Sequence, residues 1–176
     1  LTDVATRPIL SNPTKQQRRS LNSAQLWSVW NRQRFCLSLP DALRPSHAYV
    51  PGQNARHPED RFDHIKSSVM PDVAVQDTQA LQVGLAYLHA GYFWECHEVL
   101  EAVWLSLPDP SAERDMTQAI IQLANARLKV KMKRPKATLR LCGIVAELLR
   151  SHSGSILGIP VEDVTRWTNE LRIQSE

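Results

Sequence analysis

The residues best suited to chemistry lie in the stretch GYFWECHEVLEAVW, residues 91–104. His97 and Glu101 stand four residues apart in it, and Glu98 lies between them. Trp104 follows seven residues after the histidine. Because residues four apart share one face of a helix, the imidazole and the carboxylate would emerge side by side. The spacing therefore predicts a polar site on the flank of a helix.

The residues leave three uses of this pair open. His97 and Glu101 could bind one divalent metal ion. They could act as an acid–base couple, in which the carboxylate holds the imidazole tautomer. They could also form a structural hydrogen bond covered by Trp104. A mononuclear metal site usually has at least three protein ligands, so further ligands would come from Glu98, His89, another helix or a second subunit of a homo-oligomer.

A second row of polar residues is expected on the following helix. Arg114, Gln118 and Asn125 fall within about 40° of one another on a helical wheel. This row borders an apolar face made of Thr117, Ile120, Ile121, Ala124 and Leu128. If the two helices pack antiparallel, Arg114 should pair with Glu98 or Glu101, since a half-buried carboxylate needs a partner. The predicted site is thus the seam of His97, Glu98, Glu101 and Trp104 facing Arg114 and Gln118.

The elements that position this seam are predicted to be helices. Helical spacing of apolar residues begins at Asp72, with Asp72 or Asp77 as the cap and Gly91 as the stop. Further helices are expected over 92–106, from Ser111 to about 133, from 135 to about 152, and over 161–173. No strand pattern competes. The short loops favour antiparallel neighbours, so the fold class is a compact all-α bundle of about five helices.

The residues ahead of the bundle differ in character. Residues 1–44 are polar and broken by proline, which predicts an irregular, extended tail or arm with one short helix around Trp27 and Trp30. Residues 45–70 read as an extended, turn-rich connector. His47 and His57 in that connector are interpreted as solvated loop residues. The bundle domain is then 71–176.

Composition limits the partners and the compartment. The net charge is +3 and there are three cysteines, whose wide spacing gives neither a disulfide framework nor a metal knuckle. With no apolar run long enough to cross a bilayer and no secretory pattern at the start, a cytoplasmic location without membrane contact is expected. The basic residues of 129–140 lack interleaved aromatics, so nucleic-acid binding is disfavoured.

Two segments carry a family resemblance. GLAYLHAGYFWECHEVLEAVW followed by ERDMTQAIIQLANARLK resembles the domain-of-unknown-function 309 family of bacterial and archaeal proteins. The resemblance implies an all-helical bundle and no established activity. It also implies metal binding by an H-x-x-x-E-x-x-W element, matched by His97, Glu101 and Trp104. Ala119 departs from the glycine usual in the family, and the end of the third helix lacks a histidine that many members carry.

The sequence thus predicts a protein of unknown function with a metal or small-ligand site on a helix–helix seam. A metal-assisted hydrolase is the sharper form of this hypothesis. The alternative is a non-enzymatic helical interaction module in which the seam is structural. Nucleic-acid binding through 129–140 ranks third, and the residues do not decide whether the protein is an enzyme.

Overall fold

The computed structural model describes residues 39–175. Six helices occur there: α1 (Asp63–Lys66), α2 (Gln79–Ala90), α3 (Phe93–Ser106), α4 (Ala112–Lys131), α5 (Pro135–Leu149) and α6 (Val161–Ile173). Single 3-10 turns cover Asp41–Leu43, Glu59–Phe62 and Val75–Asp77. The all-α prediction is confirmed, with five long helices and one short one. The predicted short helix around Trp27 and Trp30 lies outside the described residues.

The helix boundaries follow capping chemistry. Ser111 caps α4, its hydroxyl accepting the Arg114 backbone N–H at 3.1 Å, as predicted. Gly91, in the left-handed region with φ of 86°, ends α2 as predicted. The predicted caps of α2, Asp72 or Asp77, were wrong. Thr78 is the cap, because its hydroxyl accepts the Leu81 N–H at 3.3 Å.

A two-stranded hairpin joins α5 to α6. Strand β1 (Ser155–Ile156) pairs antiparallel with β2 (Ile159–Pro160), with Ser155 opposite Pro160. No strand was predicted here. Gly158 and Leu157 have positive φ values of 76° and 51°, which let the chain reverse within two residues.

The core forms around α4, which packs against α3, α5 and α6. The predicted apolar face of this helix is confirmed, since all five of its members are buried: Thr117, Ile120, Ile121, Ala124 and Leu128. Arg114 at the start of α4 contacts Trp104 late in α3, whereas Arg127 contacts Phe93 at the start of α3. The two helices therefore run antiparallel, as the short connection between them predicts.

Between residues 39 and 175, none of the helices has the length and apolar character needed to cross a membrane.

Candidate functional site

Helix α3 turns one face toward the core. Its inner face buries Cys96, Val99, Leu100 and Val103, each with no exposed surface. His97 and Trp104 lie half-buried at the edge of this face, and Glu101 is exposed. His97 and Glu101 therefore project from consecutive turns of one regular helix, at the boundary between core and solvent.

Arg114 and Trp104 are the two seam residues that the structure brings together. The guanidinium carbon of Arg114 lies 4.1 Å from the centroid of the Trp104 ring, as in a cation–π contact. Nη1 of Arg114 also donates to the backbone carbonyls of Trp104 and Leu107, both at 2.8 Å. The arginine thus closes the C-terminal end of α3, where helix carbonyls lack intrahelical partners.

The predicted pairing of Arg114 with Glu98 or Glu101 was wrong. The nearest carboxylate to the guanidinium is that of Asp109, with Oδ2 at 3.9 Å from Nε. Glu98 instead pairs with Lys66 of α1, at 3.6 Å from Nζ to Oε2. Arg114 donates to the backbone carbonyls at the end of α3 rather than to Glu101, which is exposed. These carbonyls lie within reach of the half-buried guanidinium, whose N–H donors need acceptors.

The donors of the seam limit the kind of metal site. His97 and Glu101 offer one imidazole and one carboxylate. Among residues 39–175 there is no group of three or more His, Cys, Asp or Glu side chains that could hold a metal ion. The described residues do not fit a closed shell of three or four protein ligands. Gln118, the remaining residue of the predicted seam, is half-buried on α4.

A second polar cluster, which sequence reasoning missed, lies at the start of α3. The Glu95 side chain is fully buried. Its Oε1 accepts the Tyr49 backbone N–H at 2.7 Å and lies 2.9 Å from Nε2 of His57, whose side chain is 3% exposed. Oε2 of Glu95 is also buried and has no hydrogen-bond partner in the described part of the chain. Through Glu95, the connector is fastened to the bundle.

Aromatic rings enclose this buried pair. The His47 ring stacks on that of His57 with 4.4 Å between centroids. Phe62 meets the His57 ring edge-on at 5.6 Å, and Trp94 lies 6.1 Å from it. The interpretation of His57 as a solvated loop residue was therefore wrong, and His47 is a half-buried loop residue stacked on it. The sequence does contain one indication of this cluster. Glu95 lies four residues before Val99, so the apolar face of α3 carries a carboxylate that needs a partner.

Two ionisable groups near this cluster, Cys96 and Tyr87, are held in their neutral forms at neutral pH. Burial raises the pKa of the Cys96 thiol far above its usual range. Burial also raises the pKa of Tyr87 to about 12, and the Tyr87 hydroxyl donates to the Leu43 carbonyl at 2.6 Å. Neither group is therefore a nucleophile at neutral pH.

The fold and the seam define a class: an all-helical bundle that carries a His–Glu pair on the edge of its second long helix. Within that class, residues 81–141 match the family described as domain of unknown function (DUF309). The resemblance predicted from the sequence is thereby confirmed. The match covers the span from α2 into α5. The comparisons with curated proteins and with solved structures gave no match.

Proposed function

We propose that the protein is a helical binding module in which His97 and Glu101 hold a divalent metal ion at the outer edge of α3. One observation carries the proposal. Neither side chain has a hydrogen bond, ion pair or ring contact within residues 39–175, so no polar contact of either one links the described helices. A histidine and a glutamate one turn apart with both side chains accessible are available to a ligand.

The ligand types limit which metal ion would bind at this site. One imidazole and one carboxylate suit Zn²⁺ and its first-row neighbours better than Mg²⁺ or Ca²⁺, which prefer oxygen ligands. With two protein ligands, the affinity should be modest and the remaining positions open. A metal ion bound there would supply Lewis acidity and lower the pKa of a coordinated water.

The sharper form of the proposal is a metal-assisted hydrolase. The chain's own contribution would then come from Arg114, whose guanidinium is held by two carbonyls and by the Trp104 ring. A cation fixed in this way orients an anionic substrate with little loss of side-chain entropy. The indole Nε1 of Trp104 is buried and lacks a hydrogen-bond partner among the described residues, so it is a further donor for a polar ligand.

A non-enzymatic interaction module is the second candidate, and one observation favours it. Leu105 is 65% exposed and lies one turn after Glu101 on α3. A large exposed apolar side chain beside a polar edge is common in protein interfaces. A second copy of the chain docked there would cover Leu105 and could supply the missing metal ligands, which would make the protein a homo-oligomer.

Two further points concern the cellular compartment and nucleic-acid binding. We place the protein in a reducing compartment, the cytoplasm, because the two described cysteines, Cys96 and Cys142, are both buried free thiols. Nucleic-acid binding by the basic residues of 129–140 ranks below both candidates. It would show as affinity that falls steeply between about 50 and 200 mM salt.

Titration calorimetry with ZnCl₂ on the chelator-treated full chain tests the metal site. The wild type should bind one equivalent, and His97→Ala and Glu101→Gln should each weaken binding at least about tenfold, because one of only two protein ligands is lost. His64→Ala is the matched control, since His64 is an exposed helical histidine, and it should bind as the wild type does. Equal binding by all four proteins, or none by the wild type, would reject the site.

Two further measurements distinguish a metal-assisted hydrolase from a homo-oligomeric interaction module. A hydrolase should cleave activated p-nitrophenyl esters or phosphates in a zinc-dependent way, with the rate lost in His97→Ala. A homo-oligomeric module should change its sedimentation behaviour in Leu105→Glu and leave such substrates untouched.

A further inference from the structure

A cavity of about 310 Å³ opens where the start of α3 meets the ends of α4 and α6. Its size is at the lower end of the roughly 300–1,000 Å³ that small-molecule sites occupy. Six residues set its chemistry: Phe93, Arg127, Lys131, Trp167, Glu170 and Gln174. His97 and Glu101 do not line it, so it is separate from the proposed metal site.

The cavity has an apolar floor and a polar rim. Trp167 and Leu171 are each only 8% exposed and form the floor together with the half-buried Phe93. Lys131, Glu170 and Gln174 are exposed and stand at the rim. A flat apolar group therefore fits the interior, and a polar or charged group fits the mouth.

Arg127 is the informative residue in this cavity. Its side chain is half-buried, yet within residues 39–175 it makes no ion pair or hydrogen bond, and its one ring contact is with Phe93 at 6.0 Å. Burial lowers the pKa of the guanidinium, but an arginine stays protonated at neutral pH. The charge of Glu170 partly offsets this effect, but the two side chains form no ion pair within the described residues. A half-buried cation without a directly paired anion is costly, which is the expected state of a residue whose partner is a ligand.

The charges around Arg127 define the ligand further. The lining holds two cations, Arg127 and Lys131, and one carboxylate, Glu170. Glu170 also lies 4.0 Å from Arg166, from Oε1 to Nε, so it is partly neutralised elsewhere. The net lining charge of +1 matches a singly charged anion better than a doubly charged one.

His89, which lies behind the floor, does not alter this balance. Its ring meets Trp167 edge-on at 6.0 Å. Burial, and secondarily the charge of Arg127, lowers the pKa of His89 to about 4. The imidazole is therefore neutral at pH 7 and adds no positive charge beside the cavity.

We propose that this cavity binds a small carboxylic acid with an aromatic or flat apolar body. The carboxylate pairs with Arg127, whose planar fork matches two carboxylate oxygens. The ring lies against Phe93 and Trp167, and Lys131 adds attraction at the rim.

Titration calorimetry of the full chain with 3-phenylpropionate tests this proposal, and the uncharged 3-phenylpropionamide is the matched ligand control. The wild type should bind the acid saturably and the amide at least tenfold more weakly. Arg127→Gln should reduce binding of the acid at least tenfold, whereas Arg140→Gln, an exposed arginine on α5, should leave it unchanged. Arg127→Lys, which keeps the charge without the fork, should fall between the two.

Three results would overturn the assignment. They are equal binding of acid and amide, undiminished binding in Arg127→Gln, and the absence of saturable binding by the wild type. Tighter binding of phenyl phosphate than of the acid would also overturn it, because a doubly charged headgroup would then be preferred. If Arg127→Gln does not fold, as judged by circular dichroism, the comparison of acid and amide on the wild type decides.

Discussion

Oε1 of Glu95 lies 2.9 Å from Nε2 of His57, and the two side chains are 0% and 3% exposed. These residues are 38 positions apart, so their contact links the connector, residues 45–70, to the first turn of α3. Burying such a pair offers stability only while both partners are present. Removing one leaves the other desolvated and unpaired.

We therefore expect His57→Ala and Glu95→Ala each to lower the free energy of unfolding by about 3 kcal/mol. Urea denaturation followed by circular dichroism would measure this. The double variant should lose less than the sum of the two, by roughly 1–3 kcal/mol, because the pair is coupled. His64→Ala should stay within about 0.5 kcal/mol of the wild type, since that side chain is exposed. Strict additivity would contradict direct coupling of the pair.

The same contact marks the limit of what the sequence predicts. Local periodicity placed Ile120, Ala124 and Leu128 of α4 in the core correctly, because a helix fixes the relative direction of nearby side chains. The partner of Glu95 is His57, which lies in a loop 38 residues upstream. The periodicity of a helix does not indicate contacts between residues so far apart in the chain.

Arg114 illustrates a different limit. It was predicted to face the seam on α3 and to pair with Glu98 or Glu101, whereas its partners lie at the end of that helix. The prediction considered only carboxylates, whereas the guanidinium donates to the carbonyls of Trp104 and Leu107. Backbone groups at a helix end are acceptors that every sequence carries, so residue types alone do not reveal them.

Arg114 and Glu101 should consequently differ sharply in their effect on stability. Arg114→Ala removes two hydrogen bonds from a charged donor and the contact with the Trp104 ring, and should cost about 2–4 kcal/mol. Glu101→Ala should change stability by less than about 0.5 kcal/mol, because its side chain is exposed. Thermal melts of both variants would measure the difference. A strongly lowered melting temperature for Glu101→Ala would restore the structural interpretation of the His97–Glu101 pair.

Two helical glycines should respond in opposite directions to alanine. A Cβ at Gly84 in α2 would lie 2.4 Å from Cδ2 and 2.5 Å from Cγ of Leu100, a residue with no exposed surface. The overpacking should outweigh the gain of roughly 1 kcal/mol in helix propensity and leave Gly84→Ala destabilised by about 1–3 kcal/mol.

Gly143 is the matched control for that substitution. It lies in α5, is exposed, and a Cβ there would meet no atom within 4 Å. Gly143→Ala should therefore stabilise the protein by about 0.5–1 kcal/mol. Chemical denaturation of both variants would test the pair. Stabilisation by both would mean that α2 and α3 are not in close contact at Gly84.

The buried His89 predicts how stability depends on pH. Burial, and to a lesser extent Arg127, lowers its pKa from the ordinary 6.5 to about 4. Above pH 6.5 the imidazole is neutral in the folded and the unfolded chain. Between about 6.5 and 4 the unfolded chain binds a proton that the folded chain does not, so the free energy of unfolding falls as the pH falls.

This contribution should reach on the order of 3 kcal/mol at pH 4. The wild-type curve sums the contributions of all titrating groups in the chain, so it does not isolate this one. His89→Gln removes this one titration and leaves the others in place. The stability difference between wild type and His89→Gln, measured by urea denaturation at several pH values, should therefore be constant above pH 7 and shift against the wild type between pH 6.5 and 4. Parallel curves across that window would mean that His89 becomes protonated as readily in the bundle as in the unfolded chain.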